Sequence, residues 1–412
     1  MCARAGPALE FLRVGPASGP AVDGHRDMTE RIEAKIRARE RISRDEASWL
    51  YTQAEDSDLR RLASEVRARF HAPDEASYLL MAIVNYTNVC VARCDYCSFY
   101  RLPDQPDGYL LSAAEVCERI DKLVSFGGTM VGFNGGFNPA LRIADYAALF
   151  REIHTRYPHL QFYELTVAEF MFACKVSKTS YKEGAAILAE AGTRWITGGG
   201  SEVLDPGFRK RHSPGKYKVE DYYKAQRAIL DAGLGSTATM VIGFDESLEE
   251  RMNHLERLRA FQDETGGGLA SFLCWTYKPW GNALGGEEID TLSYLRWLAV
   301  CRIYLDNFIH VRTSVLTKNE EALRGLAYGA NDFDLPTEDE VTQQAGATVS
   351  HDFHRILDCA EREGFRPVHR LPLERCPDPA RPARPSGQSR LQALTPSTAP
   401  RPDVPVQSIL RT

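Results

Sequence analysis

The chain has 412 residues, 43% of them apolar, with 56 acidic against 50 basic side chains and a formal charge of −6. That length suits one barrel-sized domain with appendages, and the charge balance gives no electrostatic footprint for nucleic acid or an anionic membrane surface, which leaves a small molecule as the expected partner. No apolar run approaches the roughly 20 residues needed to span a bilayer, and seven of the ten cysteines are scattered singly, the usage of a reduced, cytoplasmic protein rather than a disulfide scaffold.

Residues 1–27 lack the basic start and apolar centre of a secretory signal and read as a flexible leader. From Met28, apolar residues at helical spacing on a charged background predict an N-terminal helical module over 28–76, with Ser43 capping "RDEASWL". The pattern then alternates between short β-rich runs and amphipathic stretches. The candidate strands are "YLLMAIVN", "TMVGFN", "LQFYEL", "RWITGG", "STATMVIG", "LASFLCW", "HVRTSV" and "GLAYGAN"; between them lie helices such as "SAAEVCERIDKLVSFGG", with a Ser112–Glu115 capping box. Eight strand–helix units over 77–375 predict an α/β fold of the (β/α)8 barrel type, with a doubly wound open sheet as competitor. Eight of the 22 prolines fall in the last 36 residues, so 376–412 reads as a disordered Pro-rich tail.

"NYTNVCVARCDYCSFY" places Cys90, Cys94 and Cys97 within eight residues, directly after an apolar strand. A structural zinc site needs four ligands, and no nearby cysteine or histidine completes one, although a zinc-stabilised binding barrel stays open as an alternative. Four thiolates hold an ordinary [4Fe–4S] cluster; three leave one iron open for a substrate or cosubstrate. Downstream, Gly135 and Gly136 end the second strand without Cβ atoms, so that backbone can approach a ligand closely. Glu202 follows a glycine run after the fourth strand and is suited to accept hydrogen bonds from hydroxyls or an amine, and Arg209 or Arg211 to hold a carboxylate in a fork.

With this Cys-x3-Cys-x2-Cys spacing after the first strand, the sequence resembles the radical S-adenosylmethionine (radical SAM) superfamily. The resemblance implies a [4Fe–4S] cluster on Cys90, Cys94 and Cys97, with S-adenosylmethionine on the open iron and Tyr96 against its adenine. It also implies Gly135 and Gly136 at the methionyl amine, Glu202 and Arg211 on the cofactor, and an adenine contact at Gly243 in "TATMVIGFDE". It further implies reduction by a flavodoxin or ferredoxin. "GGFNPALRIADY", "ITGGGSEVL", "RKRHSPGK", "FQDETGG" and "GANDF" are similar to the group containing dehypoxanthine futalosine cyclase, aminofutalosine synthase and the deazaflavin synthase components, and most similar to the cyclase of menaquinone biosynthesis.

What the cyclase resemblance implies is a nucleoside-derived substrate, hydrogen abstraction from ribose C4′ by a 5′-deoxyadenosyl radical, attack of the sugar radical on a benzoate ring, and loss of an electron and a proton. Such chemistry asks for a base, a cation and water-excluding walls. Glu164 and Glu169 in "YELTVAEF" are the candidate bases, since a buried carboxylate is raised towards neutral pKa. Arg312 and Lys318 are the candidate carboxylate clamp, Trp275 and Tyr277 the candidate walls, and His212 and Asp332 further candidates at the mouth. Three stretches depart from the cyclase pattern: "MAIVNY" where Asp-Arg-Asn-Ile-Asn-Tyr is expected, "CWTYKP" for Pro-Trp-Thr-Phe-Gln-Pro, and "TSVLTK" for a Ser-Ser-Trp-Val-Thr run. They place the departures where substrate is read.

Overall fold

The structure, a computed structural model, describes residues 21–370. The expected leader up to residue 20 and the Pro-rich tail lie outside the described residues. Helix α1 (Ala21–Arg37) begins inside the segment expected as leader, so the helical module starts before Met28. It continues through α2 (Arg44–Thr52) and α3 (Asp56–Arg67). Ser43 caps α2 as expected: its side chain accepts from Glu46 N, and the Glu46 carboxylate returns to the Ser43 backbone. The apolar stripes of the module, with Ile32, Ile36, Leu50, Leu59 and Leu62, bury against Tyr294, Trp297 and Leu298 in one continuous core.

Strand β1 (Glu75–Val84) opens a ring of parallel strands. After it come α4 (Ala113–Ser125), β2 (Met130–Phe133), α5 (Ile143–Arg156), β3 (Gln161–Tyr163), β4 (Leu165–Thr166), α6 (Val167–Ser177), α7 (Tyr181–Glu190) and β5 (Trp195–Thr197). The second half holds α8 (Pro206–His212), α9 (Val219–Asp231), β6 (Gly235–Ile242), α10 (Leu248–Glu264), β7 (Leu269–Thr276), α11 (Thr291–Tyr304), β8 (His310–Thr313), α12 (Val315–Lys318) and β9 (Asp332–Asp339). The pairing order β3-β2-β1-β9-β8-β7-β6-β5-β4 closes because β3 and β4 are one strand broken at Glu164. Counted so, eight strands form the expected (β/α)8 barrel. After α13 (Glu340–Gln344) and α14 (Phe353–Arg362), β10 (Arg366–His369) pairs with the first residues of β1 outside the ring.

Seven of the eight expected strands lie where the sequence places them. The eighth does not. "GLAYGAN" falls mostly in a 3-10 stretch, Asn319–Tyr328, and the strand is the next segment, "DFDLPTED". Its alternation is real: Phe333 and Leu335 face the helices, while Asp332 and Asp334 point into the lumen. Acidic residues and a proline read as a loop because strands ordinarily disfavour them; here buried arginines neutralise the acids.

Along each strand, outward side chains such as Tyr78, Leu80, Met240, Phe272 and Cys274 join the helices in the annular core. Met81, Met130, Tyr163 and Trp195 form a small cluster inside the ring. The lumen is therefore filled from below, and the segments after the strands' C-terminal ends are left to build a site.

Candidate active site

The residues just before the cysteines fasten their loop. Asn85 donates from Nδ2 to Asn134 O (2.7 Å) and accepts from Glu340 N (2.6 Å), stitching the ends of β1, β2 and β9. Tyr86 donates from its hydroxyl to Glu169 (2.5 Å), Thr87 from its own to Tyr109 O (2.6 Å), and Asn88 from Nδ2 to Asp107 O (2.9 Å). From outside, two glycines seat on the loop: a Cβ on Gly136 would lie 2.3 Å from Val89 O, and one on Gly215 2.6 Å from Ala92 O. Backbone N–H groups of Ala283 and Leu284 close over it onto Asp95 O at 2.8 and 2.9 Å.

Cys90, Cys94 and Cys97 line a cavity of about 290 Å³ at the C-terminal ends of the strands. Tyr96, Gly135, Glu169 and Glu202 line it as well. The bare side of Gly135 faces Tyr86 and that of Gly136 faces Cys90, so the glycine pair first serves to pack the β2 loop against the cysteine loop.

The two candidate bases part company. Glu164 sits at the strand break and is turned out of the lumen, accepting from Arg194 N and Trp195 N (3.1 Å each) and lying 3.1 Å from His154 Nε2. The structure does not bring it to the cavity. Burial raises its pKa against the His154 contact, but the carboxyl is committed to mending the sheet. Glu169 lines the cavity, yet its oxygens accept from Gly135 N (2.7 Å), Tyr86 and the Thr166 hydroxyl (2.6 Å) in a capping box. Burial raises its pKa too, opposed by those donors.

After β5, Glu202 takes a left-handed backbone conformation (φ 43°) that aims its carboxylate at Lys216 Nζ, 2.9 Å away. Burial opposes its charge, but Lys216 and Arg209 outweigh it and hold the carboxyl below its usual range. Lys216 also lines the cavity, its Nζ 5.8 Å from the Tyr96 ring centre. The sequence reading passed over this lysine within "RKRHSPGK". Arg211, which it singled out, lies on the outer surface bound to Glu250 (2.7 Å) and Asp245 (3.2 Å); the buried Arg209 reaches Ser201 O instead. Gly243 does not line the cavity. It turns the chain after β6 at φ 94°, where a Cβ would meet Ile289, and its neighbour Phe244 is the one facing inward.

His212 bridges Asp95 (3.0 Å) and Asp245 (2.7 Å), tying the cysteine loop to the β6 loop. Asp332 is at the barrel floor, not the mouth: Arg370 (2.7 Å), Arg312 (3.3 Å) and Ser77 (2.5 Å) hold it. Arg312 lines the cavity floor but is shared between Asp332 and Asp334. Lys318 donates to Ile289 O and is not among the lining residues. Trp275, Tyr277, Met81 and Ile83 do line the cavity, as does Lys278, which pairs with Glu288 (2.8 Å). Asp339, at the end of the strand the sequence reading misplaced, completes the wall.

Burial pushes the Cys94 thiol up to about 11 and raises that of Cys97, so these thiols ionise readily only against a cationic partner. Among the described residues no three His, Cys, Asp or Glu side chains converge on a single-ion site. All three cysteines line one cavity, and thiolates are the donors that iron–sulfur clusters use. Among the described residues, no helix is long and apolar enough to cross a membrane.

Comparison with known proteins agrees with this geometry. A family profile described as the radical SAM superfamily matches residues 84–258, and one described as the CofH/MqnC C-terminal region matches 266–375. Cyclic dehypoxanthine futalosine synthase of Halalkalibacterium halodurans is 34% identical over 80% of this chain and 90% of its own length; that of Streptomyces coelicolor is 34% identical over 80% and 84%. Aminodeoxyfutalosine synthase of Thermus thermophilus is 32% identical over 77% and 86%. Among solved structures, methylornithine synthase superposes with a TM-score of 0.64 at 15% identity, over 82% of this chain and 97% of that one, and so shares the fold.

Proposed function

The chain belongs to the radical SAM superfamily, and from that premise we propose that it is a cyclic dehypoxanthine futalosine synthase, closing a ring between the ribose and the benzoate-bearing part of its substrate. The observation that carries the reading is the match to two such synthases along most of both chains, with the cysteines on the wall of the cavity. The residues fit the family's cofactors. Cys90, Cys94 and Cys97 would hold a [4Fe–4S] cluster, and Tyr96, Gly135, Glu202 and Lys216 line the place for S-adenosylmethionine beside it. On one-electron reduction the pair supplies a 5′-deoxyadenosyl radical.

The chain's own residues do the rest. Met81, Ile83, Val241, Phe244 and Leu273 wall the cavity with apolar surface, which keeps water from a reactive carbon centre. Trp275 and Tyr277 offer flat faces to an aromatic ring. Arg312 is already neutralised by two aspartates, so Lys278, paired among the described residues with the half-exposed Glu288, is the better-placed cation for the substrate's carboxylate. A flavodoxin or ferredoxin as electron donor and a cytoplasmic location complete the proposal.

A second reading is a sister carbon–carbon bond-forming synthase. Met81 and Ile83, which line the cavity where the cyclase pattern carries polar residues, favour it. One experiment separates the two: anaerobic turnover of the reconstituted protein with S-adenosylmethionine, dithionite and dehypoxanthine futalosine, read by mass spectrometry. The cyclase reading expects substrate-dependent 5′-deoxyadenosine and a cyclised product, both abolished by Cys94→Ala. Deoxyadenosine without conversion of this nucleoside would reject the cyclase and point to the sister reaction.

A further inference from the structure

Four carboxylates line the cavity: Glu169, Glu202, Asp334 and Asp339. Three are occupied. Glu169 accepts from Gly135, Tyr86 and Thr166, Glu202 from Lys216, and Asp334 is paired with Arg312. Asp339 differs. Its residue is 3% exposed, Oδ2 accepts from the Thr342 hydroxyl, and Oδ1 is buried with no hydrogen-bond partner among the described residues. The neighbouring Asn85 amide donates to Asn134 O, and together with the Val341 and Thr342 N–H groups it offsets only part of the burial of Asp339; the flanking acids turn elsewhere, Glu338 to Arg119 (3.1 Å) and Glu340 to Tyr109 (2.8 Å). An unsatisfied buried carboxylate oxygen carries a free-energy penalty, and this carboxylate belongs to a residue that lines the cavity.

We infer that Asp339 is the general base of the reaction, the residue whose carboxylate takes the proton that the substrate ring releases. The inference rests on the cyclase reading. Ring attack forms one carbon–carbon bond and leaves a cyclohexadienyl radical. Restoring the arene breaks one C–H bond: the proton goes to the Asp339 carboxylate and the odd electron to a one-electron acceptor of the iron–sulfur class, so atoms and electrons balance. Burial pushes the Asp339 carboxyl up to about 6, a basicity suited to receiving a proton near neutral pH.

The test compares wild-type holoenzyme with Asp339→Asn and Asp339→Glu, following 5′-deoxyadenosine and cyclised product separately under substrate-dependent turnover, with equilibrium substrate binding alongside. The expected result is a loss of about 100-fold or more in cyclised product for Asp339→Asn. Substrate binding and transfer of substrate deuterium into 5′-deoxyadenosine should stay within a few-fold of wild type, and Asp339→Glu should recover part of the product. If Asp339→Asn forms product within twofold of wild type, the assignment is wrong. If it abolishes deuterium transfer as well, while substrate still binds, Asp339 acts before ring closure and the assignment is again wrong. Should Asp339→Asn fail to fold, full product loss in a folded Asp339→Glu would count against the assignment and partial activity in its favour. If the wild type makes no cyclised product at all, the cyclase reading falls first, and this inference with it.

Discussion

At Asp339 the fold holds a carboxyl that would be more comfortable elsewhere. Its ordinary pKa of 3.8 rises to about 6 in the folded chain, chiefly through burial. Between those values the native state keeps a proton that the unfolded state has released, so stability falls as pH rises through the window; at neutral pH the cost is roughly 3 kcal/mol. Asp339→Asn should therefore unfold at higher urea than wild type at pH 7.5 and at about the same urea at pH 3.5. An equal offset at both pH values would show that the stabilisation has another source. A residue that destabilises its own fold is where function is expected.

The two basic residues of "RKRHSPGK" give a contrast on the same scale. Arg211 is solvent-facing, and its ion pairs there are worth little, so Arg211→Ala should leave S-adenosylmethionine affinity within twofold of wild type. Lys216 is buried against Glu202, and Lys216→Met should weaken that affinity at least about tenfold, since the largely buried Glu202 left without its partner no longer holds its geometry. Equilibrium binding on the reconstituted protein measures both. Spacing alone cannot tell the two side chains apart, because which of them faces the lumen depends on the turn at Ser213 and Gly215.

At the scale of elements, local signals were reliable wherever the physics is local. The cap at Ser43 and the capping box at Ser112 form as read, Ser43 closing a full box as well, and equivalent boxes close at Thr166, Ser180 and Ser247. β9 was missed because its lumen-facing positions are acids whose partners, Arg312 and Arg370, come from neighbouring elements and not from adjacent positions. Glu164 was misjudged although alternation places it: Tyr163 sits inside the ring, so the next side chain falls on the outer face. The cysteine loop tests the element directly. Gly136→Ala would press a methyl against Val89 O at 2.3 Å; the expected outcome is a large drop in iron and sulfide per chain with the far-ultraviolet circular dichroism unchanged. Full cluster content in this variant would show that the loop seats without the glycine.

For the whole molecule, the barrel floor is the feature to challenge. Arg312, Asp332, Asp334 and Arg370 are buried together, where breaking an ion pair strands a charge. Arg312→Met should destabilise the protein by about 3–5 kcal/mol, and the double variant with Asp334→Asn should be less damaged than the single changes summed; urea denaturation of all three variants checks this. Strict additivity would mean that the floor residues do not act as a unit.

By itself the sequence determined the barrel, through the alternation of strand-length and helix-length apolar runs, and the cluster motif, through three thiols on one short segment. Both are properties of neighbours along the chain. The tertiary structure alone decided which polar residues meet the cavity: it withdrew Glu164, Arg211 and Gly243, moved Asp332 to the floor, and brought in Lys216, Lys278 and Asp339. A side chain's access to the lumen depends on strand register and on ion partners supplied by other elements of the barrel, and neither is written in local spacing.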